Sequence, residues 1–176
     1  MENIIVREPN IEEYEDVAKV LNSKVHYWNR DVFTQEELDM FGSGKDTAKE
    51  WLEDRSKGRH LVAVIEGHIV GVLRWYIKAN NVGWVSRSAT LPKYYRRGVG
   101  RALNCEVEKQ AKELGLAAIM EETQKRAEWA VKFHVANGDR ILSQEEVDAP
   151  PFKGALDKPI VAGTYVFGKK AEDFCK

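Results

Sequence analysis

The sequence predicts an α/β fold built on a mixed, mostly antiparallel sheet, and three observations carry that expectation. Three strand patterns follow one another between residues 61 and 91, separated by turn signals short enough for hairpins. A basic turn containing Gly98 and Gly100 then leads into a long amphipathic helix pattern and a further short strand, which together make one parallel crossover. A length of 176 residues, 43% hydrophobic and 31% charged, suits a single soluble domain over residues 1–176 with a core of its own.

In chain order, Ile4 to Arg7 reads as a first strand stopped by Pro9. Asn10 with Glu13 forms a capping box, and Tyr14, Val17, Ala18 and Leu21 recur at helical spacing. The segment Val25 to Arg30 lacks periodicity and reads as loop. Thr34 with Glu37 starts a second helix reaching about Phe41, and a third, carrying Ala48, Trp51 and Leu52, runs from Asp46 to about Arg55. Leu61–Ile65, Ile69–Ile77 and Trp84–Leu91 are the three successive strands. After the glycine turn, Val99, Leu103, Val107, Ala111 and Leu114 form one helical stripe closed by Gly115. Leu116–Met120 is the strand of the crossover. Thr123 is expected to cap a helix ending at Asn137-Gly138, and Arg140–Gln144 and Ile160–Gly168 are the last two strands.

The formal net charge of −1 argues against general nucleic-acid binding, which needs a broad basic face. No apolar run approaches the roughly 20 residues of a membrane span, and the first residues lack a signal-peptide core, so a cytoplasmic protein with no membrane association is expected. Cys105 and Cys175 show neither metal spacing nor a disulfide framework and are expected to be free thiols. No metal site is expected.

The chemistry concentrates in Pro92 to Leu103. Glycines at 98 and 100 let the backbone turn tightly and bring several N–H groups against one ligand, and the helix behind adds unpaired donors and its positive end. Lys93, Arg96, Arg97 and Arg101 add charge suited to phosphate oxygens. A Walker loop is excluded because Gly100 is followed by Arg101-Ala102 rather than Lys and Ser or Thr. A dinucleotide fingerprint has Glu121 and Glu122 about where a ribose-binding acid belongs, but its third small residue would fall at Leu103, and a six-residue loop separates Leu91 from Gly98.

With a strand ending before Pro92, then Gly98-Val99-Gly100, and later Ala130-Val131-Lys132-Phe133-His134, the chain resembles the GNAT superfamily of N-acetyltransferases over most of its length. The resemblance implies a six- to seven-stranded, mostly antiparallel sheet flanked by helices on both faces. It implies acetyl coenzyme A, or a related acyl form, as cofactor, with Tyr95, Arg96, Arg97, Gly98, Val99, Gly100, Arg101 and Ala102 around the diphosphate. Aligned on Pro92, the family's Gln-or-Arg position is Tyr95; shifted by two, Arg97, Gly100 and Ala102 satisfy the pattern. Ala89, Thr90 and Leu91 would carry the pantetheine arm. The reaction implied is direct attack of an amine, on a small molecule or peptide, upon the thioester within a ternary complex.

The family's thiolate-protonating tyrosine is replaced by His134, which is either the acid or a core histidine. An imidazole is admissible chemically, with a reference pKa of about 6.5. Ser86 stands near a position where relatives carry a glutamate, and His26 is a second candidate base. Tyr27 and Trp28 are candidates for the acceptor pocket, whose specificity would sit in residues 25–34 and 145–158. Trp84 reads as core, and Glu121 and Glu122 as a solvated strand end. A homodimer is compatible with these readings. Two rival functions are a coenzyme A-binding module without turnover and a nicotinamide-dependent oxidoreductase.

Overall fold

A computed structural model describes residues 3–23, 32–40 and 45–175. Strands β1 (Ile5–Arg7), β2 (Arg59–Ile65), β3 (His68–Lys78), β4 (Val82–Thr90), β5 (Ala118–Gln124), β6 (Arg140–Ile141) and β7 (Thr164–Lys170) form one sheet in the order β1-β2-β3-β4-β5-β7-β6. β4 and β5 pair in parallel, from Val82 opposite Ala118 to Val85 opposite Glu121, and helix α4 (Val99–Glu113) supplies the connection such a pair requires. β1 with β2, β5 with β7, and β6 with β7 are antiparallel. The other helices are α1 (Tyr14–Ser23), α2 (Gln35–Met40), α3 (Ala48–Asp54), α5 (Glu128–Ala136) and α6 (Gln144–Val147). The chain divides into two compact units, Met1–Arg74 with Arg87–Asn104, and Trp75–Ser86 with Cys105–Lys176.

In the first unit, strand alternation separates two packed faces. On one, Tyr14, Val17 and Leu21 of α1 and Trp51 of α3 cover Val62, Val64, Val72 and Ala89. On the other lie Ala63 and Gly71, against Val99 and Leu103 of α4. A Cβ added at Gly71 would stand 2.5 Å from Val99 Cγ1 and 3.1 Å from Leu103 Cδ1, so the bare glycine sets how close α4 comes. The capping signals act as expected. The Asn10 N–H donates to Glu13 Oε2 at 2.7 Å, and Thr34 and Glu37 exchange bonds of 2.9 and 3.2 Å. α3 is capped by Thr47, not Asp46, through the Glu50 N–H at 3.3 Å, because the Asp46 carboxylate is drawn elsewhere.

The second unit has its own core of Val82, Met120, Leu142, Val147, Phe152 and Val166. Here several expectations need correction. β5 runs on to Gln124, and Thr123 pairs with Tyr165 in its ladder instead of capping a helix; α5 starts later, after Ala127. The sixth strand is only two residues long because Ser143 and Glu146 make a capping box, with bonds of 2.9 and 3.2 Å, that opens the unforeseen α6. β7 begins at Thr164 rather than Ile160. Cys105 and Cys175, expected as free thiols, form a disulfide with Cα atoms 5.6 Å apart. Their sequence separation of 70 residues concealed the pairing, which arises because the C-terminal segment returns to α4. Beside it Glu108 accepts from the Cys175 N–H and from Lys169 Nζ at 2.8 Å, and Lys169 also donates to the Asn137 carbonyl at 2.8 Å.

Gly71→Val should force β3 and α4 apart and destabilise the protein by about 1–3 kcal/mol, the usual cost of overpacking. Urea unfolding of the variant against the parent measures this, and an unchanged midpoint would contradict the close-approach role of Gly71.

Candidate active site

The glycine turn lies within the first unit and is built by successive backbone commitments. At the end of β4 the Leu91 N–H donates to the Val70 carbonyl at 2.8 Å, so alternation along the strand turns the Thr90 N–H toward the opposite edge. Pro92–Tyr94 then make a 3₁₀ turn, with the Tyr94 and Tyr95 N–H groups bonded to the Leu91 and Pro92 carbonyls at 2.9 and 3.1 Å. Arg96 and Gly98 take left-handed φ values of 62° and 88°, and Val99 begins the helix. At Gly98 the absent Cβ removes the strain of that conformation.

The first backbone bond of the helix joins the Ala102 N–H to the Gly98 carbonyl at 2.9 Å. Among the described residues this leaves Val99, Gly100 and Arg101 as consecutive amides at the helix start without an intrahelical acceptor, while the Ala102 amide is committed. Val99 is buried and Arg101 exposed, so the first fastens the helix and the second adds charge at the rim. Lys93 and Arg97 both lie over the Tyr94 ring, each 4.9 Å from its centre. The aromatic face thereby holds two cations beside the amides. The arrangement fits a phosphate-bearing ligand.

His134 lies in the second unit, on α5. Its side chain is 8% exposed and packs on Phe167, with ring centres 4.8 Å apart. Glu121 from β5 and Asp139 from just beyond α5 approach it: Nδ1 is 2.6 Å from Glu121 Oε1 and 3.6 Å from Asp139 Oδ2. These contacts are ionic and lack hydrogen-bond alignment. A zinc ion with bonds of 2.0–2.2 Å would hold its ligands about 3.4 Å apart, so the shorter contact is that of an ion pair. Burial pushes the His134 pKa down, but the charge of Glu121 and the adjacent Asp139 outweigh it and raise the value to about 9. Burial also holds the Glu121 carboxyl above its usual range.

Glu121 is thus buried, contrary to the expected solvated strand end, whereas Glu122 is exposed. The correction follows from the longer β5, whose alternation sends these neighbours to opposite faces. Asp139 gave no sequence signal beyond following the helix-ending Gly138. Ser86 and Thr90 are half-buried on β4, Ala89 is buried in the first core, and Trp84 packs on the second. His26, Tyr27 and Trp28 lie outside the described residues.

The acetyltransferase (GNAT) family profile matches residues 23–138, well over half of the chain. The chain belongs to the GNAT family. Its acyl donor is acetyl coenzyme A, and the rival nicotinamide reading falls with that assignment. Among solved structures, the PaiA N-acetyltransferase of Thermoplasma acidophilum, in complex with coenzyme A, superposes with a TM-score of 0.77 at 18% identity, covering 96% of this chain and 99% of its own. A GNAT acetyltransferase of Streptococcus pneumoniae gives 0.66 at 20% identity over 96% and 99%. The ribosomal-protein-S18-alanine N-acetyltransferase of Escherichia coli gives 0.62 at 11% identity over 96% and 94%. No curated protein matches by sequence. No helix among the described residues is long and apolar enough to cross a membrane.

The raised His134 pKa has a consequence for this GNAT protein. A charge favoured in the folded state stabilises fully below the unfolded value of about 6.5, and the contribution disappears as pH rises through about 9. The stability difference between the parent and His134→Gln should therefore shrink by up to about 3 kcal/mol between pH 6 and pH 10. Thermal unfolding of both across that range checks it; a constant difference would exclude a charged His134.

Proposed function

We propose that this GNAT protein transfers the acetyl group to the nitrogen of an amine, on a small molecule or a peptide, by direct attack in a ternary complex. The observation that carries the reading is the run of three amides, Val99 to Arg101, at a helix start flanked by Lys93, Arg96, Arg97 and Arg101. It also favours the register led by Tyr95, in which Gly98 and Gly100 are the pattern's small residues. In the register led by Arg97 the small residues would be Gly100 and Ala102, and the Ala102 amide is already used.

Acetyl coenzyme A, when bound, supplies a thioester carbonyl that an amine can attack, so that a carbon–nitrogen bond replaces the carbon–sulfur bond. The chain's residues bind and orient. Val99, Gly100 and Arg101 present N–H groups to the diphosphate, and the surrounding cations balance its charge. The β4 backbone at Thr90, whose N–H is directed away from β3, is the donor best placed for the pantetheine arm. His134, protonated at neutral pH because its pKa is about 9, holds a proton for the departing thiolate. That makes it an acid rather than a base in this reaction. Ser86 and His26 remain candidates for receiving the proton that the amine loses, Tyr27 and Trp28 for contacting the acceptor. Holding both reactants together contributes several kcal/mol.

Acetyl coenzyme A should raise the melting temperature, and NAD should not. Gly98→Val should weaken coenzyme A binding at least tenfold, because its φ of 88° is strained for any residue bearing a Cβ; calorimetric titration measures the affinity. With thiol release as readout, His134→Ala should lower kcat about 100-fold while leaving coenzyme A affinity within a factor of about three. An undiminished kcat would remove His134 from the chemistry.

A further inference from the structure

Asp46, in the first unit, is held by more bonds than a loop residue ahead of a helix requires. Asn22 of α1 clamps its backbone: Asn22 Nδ2 donates to the Asp46 carbonyl at 2.9 Å, and the Asp46 N–H donates to Asn22 Oδ1 at 3.1 Å. The carboxylate is 5% exposed, and its Oδ1 accepts from Trp51 Nε1 at 2.9 Å and from Arg87 Nη2 at 2.7 Å. Oδ2 is equally enclosed, with no hydrogen-bond partner among the described residues. An ionised carboxylate has acceptor sites on both oxygens, and leaving a buried one unused is costly.

Asp46 lines a cavity of about 630 Å³ formed by α1 and the start of α3. Its other charged walls are Glu15, Lys19 and Lys49. Lys19 is bonded to Asp16 at 2.8 Å, and Lys49 reaches Glu53 at 4.0 Å, each on its own helix, so both ammonium groups have acidic neighbours. The acceptor capacity left in the cavity belongs to Glu15 and to Asp46 Oδ2. A guest rich in N–H donors and bearing positive charge satisfies both.

Resting on the N-acyltransferase reading, we propose that this cavity is the acceptor pocket and that Asp46 Oδ2 receives the ammonium group of a primary amine. Arg87 orients the carboxylate from Oδ1 and leaves Oδ2 for the guest. It stands on β4 two residues before Ala89, so the same strand that turns the Thr90 amide outward also fixes the amine's anchor. Asp46 is a binding and positioning residue; deprotonation is left to another group.

Soaking crystals of the full chain with 4-bromobenzylamine tests the site without coenzyme A, with 4-bromobenzyl alcohol as the neutral control. The expected result is a bromine anomalous peak in the cavity with the amine nitrogen about 3 Å from Oδ2, absent with the alcohol and in Asp46→Asn. Amine bound elsewhere, or equal occupancy by the alcohol, would overturn the proposal. In solution, acetylation of the same amine should show KM raised about tenfold in Asp46→Asn and raised in Glu15→Gln, which disturbs no buried bond, with coenzyme A affinity unchanged. An unaltered KM in both variants would also overturn it. Loss of coenzyme A binding in the parent would instead count against the acyltransferase reading, and the soak would still decide Asp46.

Discussion

A missing side chain at Gly71 is the constraint on which the cofactor end of this protein depends. Because nothing projects from β3 there, Val99 and Leu103 of α4 seat directly on the sheet, one helical turn apart. Helix position and sheet position are then one variable. The three amides at Val99 to Arg101 inherit their place from that packing, and the left-handed Gly98 permits the chain to enter the helix at the required angle. Tyr94, buried beneath the turn, carries Lys93 and Arg97 on its ring, so the cations are set by an apolar contact as much as by their own charge. Binding chemistry here is a product of core packing.

Buried charge is treated in two different ways. Glu108 and Lys169 satisfy one another, and each has a further backbone partner in the Cys175 N–H and the Asn137 carbonyl. Such a pair is complete and serves to hold the C-terminal segment, which the Cys105–Cys175 disulfide also ties to α4. Asp46 and His134 differ. Each is almost fully enclosed and opposed by charge, yet each keeps a polar atom that makes no hydrogen bond. Incomplete satisfaction in an otherwise well-bonded interior is costly in stability and is characteristic of sites that meet a ligand or a proton.

Local signals were legible in the sequence wherever a structure depends on neighbours along the chain. The capping boxes at Asn10 and Thr34, the turn at Glu66-Gly67, the helix stop at Gly115 and the glycine turn itself all stand where the residues placed them. Errors clustered where a local signal competed with a distant partner. Thr123 has a helix-capping side chain but Tyr165 opposite it in the ladder, and the ladder prevails. Asp46 is a sound capping residue whose carboxylate was taken by Trp51 and Arg87, leaving Thr47 to cap.

The sequence by itself determined the acyl-donor cradle and the family, because strand, proline, glycines, basic residues and helix start are contiguous and their geometry follows from backbone freedom and helix polarity. Only the tertiary structure decided which charges are buried and against what. Glu121 and Glu122 are adjacent and chemically alike, but alternation on β5 encloses one and exposes the other. Asp46 meets Arg87 across 41 positions, and Cys105 meets Cys175 across 70. Electrostatic character depends on distance and burial, which chain spacing does not encode, so the amine anchor and the state of His134 become visible only in the folded protein.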